Sequence, residues 1–252
     1  MMVSVFDRRP KVIFASNLPK CVWKSAHKDQ AMKFALVDRV KTEAQQGLRG
    51  ACEICQSVMI AKCGNERIKH WAHKSKISCD PWWENETEWH RAWKNRFPEN
   101  CQEIIHRDPA TGETHKADIK TSSGLVIEFQ RSAIQPSEMR SRERFYKNMV
   151  WVVDGMRLMR DYPRFCKRFS ALRRTVKGFF LSSFPDECFP SNWLANLVPV
   201  YFDFQGSDDT VQPQDARRSA LWCLFPNRVE GHAVVAGVPR EELVKLASTD
   251  PD

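Results

Sequence analysis

Between Cys52 and Cys79 the chain is rich in Cys, His, Lys and Trp and poor in aliphatic side chains. Such a stretch cannot close a hydrophobic core of its own, so it must be stapled by something other than apolar burial. The staple is readable as Cys52-x2-Cys55 followed by His70-x2-His73. A CxxC pair lets two thiolates hold one Zn²⁺ from a tight turn, and two further N or S donors complete the tetrahedron. The 14 residues between the pairs fall near the C2H2 range, whereas His-x2-His is tighter than the usual spacing. Cys63 and Cys79 are spare thiols able to replace either histidine, and a metal-free thiol pair is the competing reading. Four protein ligands leave no open position, so zinc here would be structural.

The remaining cysteines fit the same picture. The 252-residue chain has nine, an odd number that suits free thiols and a metal site better than a disulfide framework. Asp7, Arg8 and Arg9 stand where a signal peptide would need apolar residues, and no apolar run approaches the roughly 18–20 residues of a membrane span. A cytoplasmic protein with reduced thiols and no membrane partner is expected. With 42% hydrophobic and 28% charged residues, a disordered chain is excluded.

After the Cys/His stretch the periodicity changes. Trp89, Trp93 and Phe97 recur at helical spacing within residues 86–97, with Asn85 as N-cap and Pro98 as stop. Glu86, His90 and Lys94 form the neighbouring stripe, at the edge of the buried face. Strands are expected at residues 102–106, 113–120 and 125–130, then a helix over 136–148 and a fully buried strand over 149–153. The order αβββαβ defines a mixed α/β core over residues 81–178. It follows an N-terminal region, residues 1–80, that contains the zinc-type module at 52–79. Residues 179–252 read as an α/β C-terminal extension, with strands near 198–204, 220–225 and 232–236 and a helix over 239–247, but no readable chemistry.

Two charge patterns bear on function. The +8 net charge is concentrated between Arg140 and Lys177, where twelve basic residues face only Glu143, Asp154 and Asp161. Arg140, Arg142, Lys147, Arg157, Arg160, Lys167 and Arg168 are the residues of this segment expected to track a phosphate backbone of single- or double-stranded DNA. Solvated helix faces are the plainer alternative. The second pattern is Glu86, Asp118, Glu128 and Gln130. A carboxylate within an apolar strand is costly unless partnered. Adjacent strands can bring Asp118 and Glu128 together, where Mg²⁺ or Mn²⁺ relieves their repulsion and can activate water against a phosphodiester. Salt-bridged surface carboxylates would explain the same residues.

Cys52-x2-Cys55, His70-Trp-Ala-His73, Glu86-Thr-Glu-Trp-His90 and Asp118…Glu128-Phe-Gln130, followed by Ser132, Ile134, Arg142 and Tyr146, resemble the competence protein CoiA-like family in order and type. The resemblance covers residues 52–154. It implies a restriction-endonuclease-like core of the PD-(D/E)xK nuclease superfamily, preceded by a zinc-finger-like element. It further implies that Asp118 and Glu128 are metal-binding carboxylates, that Glu86 is the third acid, and that Gln130 takes the place of the superfamily lysine. Glutamine carries no charge. Either Lys120, Arg142 or Lys147 supplies the cation to a divalent-metal-dependent DNA nuclease, or the fold survives as a catalytically weak DNA-binding factor that promotes recombination with a protein partner.

Overall fold

Short strands, of which only the last is buried throughout, organise the region around the cysteines. In the computed structural model, which describes residues 31–75, 79–207 and 214–248, these are β1 (Phe34–Val37), β2 (Val40–Glu43), β3 (Arg49–Ala51), β4 (Val58–Lys62) and β5 (His70–His73). Residues 1–30 of the expected N-terminal region lie outside the described residues. The sheet is antiparallel, in the order β2-β1-β3-β4-β5. Asp38 and Arg39, at φ 49° and 68°, make the left-handed two-residue turn that matches hairpin twist between β1 and β2. The apolar centre is small: Met32, Ala35, Met59 and Trp71 pack beside Cys52. The module therefore begins well before Cys52 and builds a full sheet beneath the cysteines.

The next elements follow the expected order. They are α1 (Glu88–Lys94), β6 (Gln102–Arg107), β7 (Thr114–Lys120), β8 (Val126–Gln130), α2 (Pro136–Tyr146) and β9 (Met149–Asp154). Helix α1 starts later than its hydrophobic pattern suggests. Thr87, not Asn85, is the N-cap, and its Oγ1 accepts the His90 backbone N–H at 3.3 Å. Strands β6, β7 and β8 are antiparallel neighbours, whereas β9 runs parallel to β8. Trp89, Trp93 and Phe97 pack on Phe129 of β8, as the helical spacing predicts.

The C-terminal residues continue this sheet. After α3 (Asp161–Phe169) come β10 (Arg173–Arg174), β11 (Phe180–Ser182), β12 (Val200–Asp203), β13 (Ala220–Val229) and β14 (His232–Pro239), then α4 (Arg240–Ser248). The nine strands lie in the order β10-β11-β14-β13-β12-β9-β8-β7-β6, with β12 parallel to β9. The continuous apolar run of β9 is thus covered on both edges as well as both faces. From β12, the fully buried Asp203 accepts the indole N–H groups of Trp89 and Trp93, each at 2.9 Å, and pairs with Arg240. The C-terminal segment anchors α1, and α1 positions the residues described next.

Candidate metal centre and adjoining carboxylate cavity

Cys52, Cys55, His73 and Cys79 each present one donor atom, all within 4.8 Å of one another. Cys52 Sγ lies 3.7 Å from Cys79 Sγ, while His73 Nε2 lies 3.3 Å from Cys55 Sγ and 3.7 Å from Cys79 Sγ. Donors about 2.3 Å from a shared centre stand roughly 3.8 Å apart at tetrahedral corners, so the spacing and the Cys3His set both suit Zn²⁺. The Cys79 thiol hydrogen-bonds Cys52 and draws its pKa well below the ordinary thiol range, to about 4. A thiolate is the form a metal binds.

His70 is not part of this cluster. Residues 70–73 form a strand, and in a strand positions i and i+3 face opposite sides. With Cys55 and His73 set on one side, His70 turns away and its Nδ1 hydrogen-bonds the Ile68 carbonyl at 2.8 Å. Cys79 takes the vacated corner, whereas Cys63 stays outside the cluster.

Asp118 and Glu128 do meet. The Asp118 backbone N–H donates to Glu128 Oε1 at 3.2 Å, and the Phe129 N–H donates to Asp118 Oδ2 at 3.0 Å. Each carboxylate is therefore clamped by the backbone of the other's strand. Both line a cavity of about 50 Å³, together with Glu84, Glu86, His90 and Lys94. Burial, reinforced by Asp118, pushes the Glu128 carboxyl up to about 8, although Arg142 Nη1 lies 3.0 Å from Glu128 Oε2. A carboxyl held this far above its usual range beside a second carboxylate is a recognised sign of a functional cleft.

Of the cations lining this cavity, Lys94, Lys116 and Arg142, Lys94 is the one paired with Asp118. Its ammonium lies 3.0 Å from Asp118 Oδ1, 2.8 Å from Glu86 Oε2 and 3.1 Å from Glu103 Oε1. Burial alone would lower its pKa, but Asp118, Glu86 and Glu103 raise it well above normal, so it stays charged. Glu86 is saturated by Lys94 and by Arg91 Nε at 2.9 Å. Glu84, unread in the sequence, holds the far wall by accepting the backbone N–H groups of Arg131 and Ser132.

Gln130 sits apart from the cavity lining. It is buried, and its amide donates to the Ser132 carbonyl and hydroxyl at 3.1 and 3.2 Å. Lys120 Nζ is 3.1 Å from His106 Nδ1, and Lys147 is exposed at the end of α2. Arg142 is buried in ion pairs with Glu128 and Glu138. Of the other basic residues, Arg140, Lys147, Arg157, Arg160 and Lys167 are exposed, and Arg168 pairs with Glu187 at 2.6 Å.

Glu103 joins the two sheets. It accepts the backbone N–H of Lys33 at 2.9 Å and of Phe34 at 3.3 Å, besides the Lys94 ammonium. Burial would raise its carboxyl, yet Lys94 and Lys116 hold it down to about 2. Between pH 4.5 and 2 the folded protein therefore binds fewer protons than the unfolded chain, and the stability due to Glu103 disappears as pH falls through that window. Thermal melts between pH 3 and 7 should show a lower midpoint for Glu103→Gln at pH 7 and a shallower acid decline than wild type. Parallel curves would remove Glu103 from the acid transition.

A mixed α/β protein with a Cys3His cluster beside a buried acid–lysine cavity is the class these features define. No helix among the described residues is long and apolar enough to cross a membrane. Residues 38–81 match the family model for competence protein CoiA, N-terminal domain. That segment contains all four cluster residues and stops before Glu84, so it supports the CoiA resemblance over the sheet that carries the Cys3His cluster. No curated protein and no solved structure matches the chain.

Proposed function

We propose that the chain is a divalent-metal-dependent DNA nuclease of CoiA-like type, acting in the processing or recombination of DNA. The observation that carries the reading is the reciprocal clamp of Asp118 and Glu128 on neighbouring strands, with the Lys94 ammonium at 3.0 Å from Asp118. Two acids and a lysine around one cavity are the parts of a PD-(D/E)xK site. In this reading the core is restriction-endonuclease-like, and α1 supplies the lysine that Gln130 on β8 lacks. Asp118 and Glu128 would hold Mg²⁺ or Mn²⁺, which needs only one or two carboxylates beside water and substrate phosphate. The ion would activate water and neutralise charge developing at the phosphorus.

The chain's own residues then have distinct tasks. Lys94 pairs with Asp118 at 3.0 Å and would offer positive charge to a phosphate oxygen. His90 donates from Nε2 to the Phe129 carbonyl at 3.1 Å and so fixes the strand segment beside Glu128. Exposed Arg140, Lys147 and Lys167 supply the salt-sensitive attraction for the phosphate backbone. Asp118→Ala should lower cleavage of a DNA substrate in Mg²⁺ or Mn²⁺ by about 10²-fold or more, since a metal-centred interaction is worth several kcal/mol and each 1.36 kcal/mol is tenfold. Wild-type protein that cuts neither single- nor double-stranded DNA with either ion would refute the nuclease reading.

A second reading is favoured by the Arg142–Glu128 pair. Glu128 is 4% exposed and already holds a guanidinium, as a residue retired from catalysis would. The fold would then serve as a DNA-binding factor promoting recombination in competence. Binding that falls steeply with salt and survives Asp118→Ala, without cleavage, is its signature.

A further inference from the structure

A second cavity, of about 380 Å³, opens at the carboxyl ends of the parallel strands β8 and β9. Ligands of open α/β sheets favour this position, because the chain leaves each strand there and frees backbone and side chains to line a crevice. Four arginines line it: Arg131, Arg157, Arg160 and Arg164. Asp154 and Asp161 are its carboxylates, and both are engaged, Asp154 with Arg131 at 3.0 Å and Asp161 with Arg164. Among the described residues, no carboxylate pairs with Arg157 or Arg160, and both are exposed at the rim. The Nε–H of Arg164 is buried with no acceptor.

The charge surplus is therefore two guanidinium groups, which suits a dianionic ligand. A guanidinium fork binds phosphate in bidentate fashion. The apolar part of the lining includes Trp193, Ile134 and Pro190. The volume lies within the range of pockets that enclose a small ligand. The two cavities are linked by hydrogen bonds, because the backbone N–H groups of Arg131 and Ser132, which line this one, donate to Glu84 of the carboxylate cavity.

We infer that this arginine-lined cavity binds a terminal nucleotide through its phosphomonoester, with Arg157 and Arg160 clasping the phosphate. Only the choice of a nucleic-acid ligand rests on the nuclease reading. A phosphodiester inside a continuous strand carries one negative charge, whereas a phosphomonoester near neutral pH carries close to two. Strand ends bearing phosphate should be preferred over hydroxyl ends of the same sequence.

The test uses full-length protein without added Mg²⁺ or Mn²⁺, so that binding is read apart from cleavage. Fluorescence anisotropy would compare one oligonucleotide carrying a 5′-phosphate, a 3′-phosphate or hydroxyl at both ends. One phosphorylated form should bind at least fivefold more tightly than the hydroxyl form. The Arg157→Ala/Arg160→Ala pair should abolish that preference, whereas Lys167→Ala should weaken all three forms alike. Competition with a nucleoside 5′-monophosphate separates the sources. Displacement at concentrations near the oligonucleotide Kd assigns the pocket to free mononucleotide, and a requirement for tenfold more assigns it to strand ends. Equal affinity for all three oligonucleotides, or a preference that survives the double arginine variant, overturns the inference whether or not the protein cuts DNA.

Discussion

Cys79→Ser should leave the purified protein with less than one zinc per chain and with the β1–β5 sheet unfolded, while His70→Gln and Cys63→Ser keep full zinc content. The effect is large because the sheet has little else to hold it. Its apolar centre is a handful of side chains around Met59 and Trp71. Structural zinc contributes on the order of 10–16 kcal/mol in comparable small modules. The cluster geometry makes the choice of variant decisive, since Cys79 Sγ stands 3.7 Å from both Cys52 Sγ and His73 Nε2. Elemental analysis gives the stoichiometry and circular dichroism gives the fold. Full zinc content in Cys79→Ser, or its loss in His70→Gln, would assign the fourth ligand to His70.

Lys94→Met should destabilise the protein by about 3–5 kcal/mol, the usual cost of removing one partner from a buried ion pair. A surface lysine would cost less than about 0.5 kcal/mol. At 3% exposure Lys94 is surrounded by Glu86, Glu103 and Asp118, and its loss leaves buried negative charges facing one another without a counter-ion. Urea titration of both proteins measures the difference. An unchanged midpoint would show that the three carboxylates find compensation elsewhere. If the variant is too unstable to purify, Glu86→Gln/Lys94→Met, which removes charge of both signs, should recover part of the loss. Cleavage by the recovered protein should remain low if Lys94 also serves the phosphate.

Much of this architecture is legible in the residues. The 3.6-residue spacing of Trp89, Trp93 and Phe97 and the unbroken apolar run from Met149 locate α1 and β9, because burial imposes those periods directly. The pairing of Asp118 with Glu128 follows from strand alternation and a short connection. The Cys3His cluster is legible only in part. Whether His70 or Cys79 completes the set depends on residues 70–73 being a strand, and four residues are too few for a pattern to declare that state. The strands before Cys52 are hidden for the same reason. Lys94 lies on the stripe shared with Glu86 and His90, yet a helical lysine reads by default as solvated. It is enclosed by Glu103 of β6 and Asp118 of β7, which reach it only when the sheet packs on α1. Spacing carries no information on such long-range partners, and the same holds for the cavity shared by Arg131, Arg157 and Arg160.

The seat of β12 beside β9, and of Asp203 beneath Trp89 and Trp93, sets an order of events during synthesis. A nascent chain that has not yet extruded Asp203 has the pieces of α1 and β9 but neither the acceptor for two indoles nor the strand that covers an apolar edge. Loop closure over roughly fifty residues must precede docking, which makes this step slow relative to local pairing. Until then the β9 edge is a template for pairing with other chains. The β1–β5 sheet, whose Cys3His cluster is complete by Cys79, can mature earlier. Vectorial folding would thus complete the zinc-type module first and the acid–lysine cavity last, after Arg240 has left the ribosome and closed on Asp203.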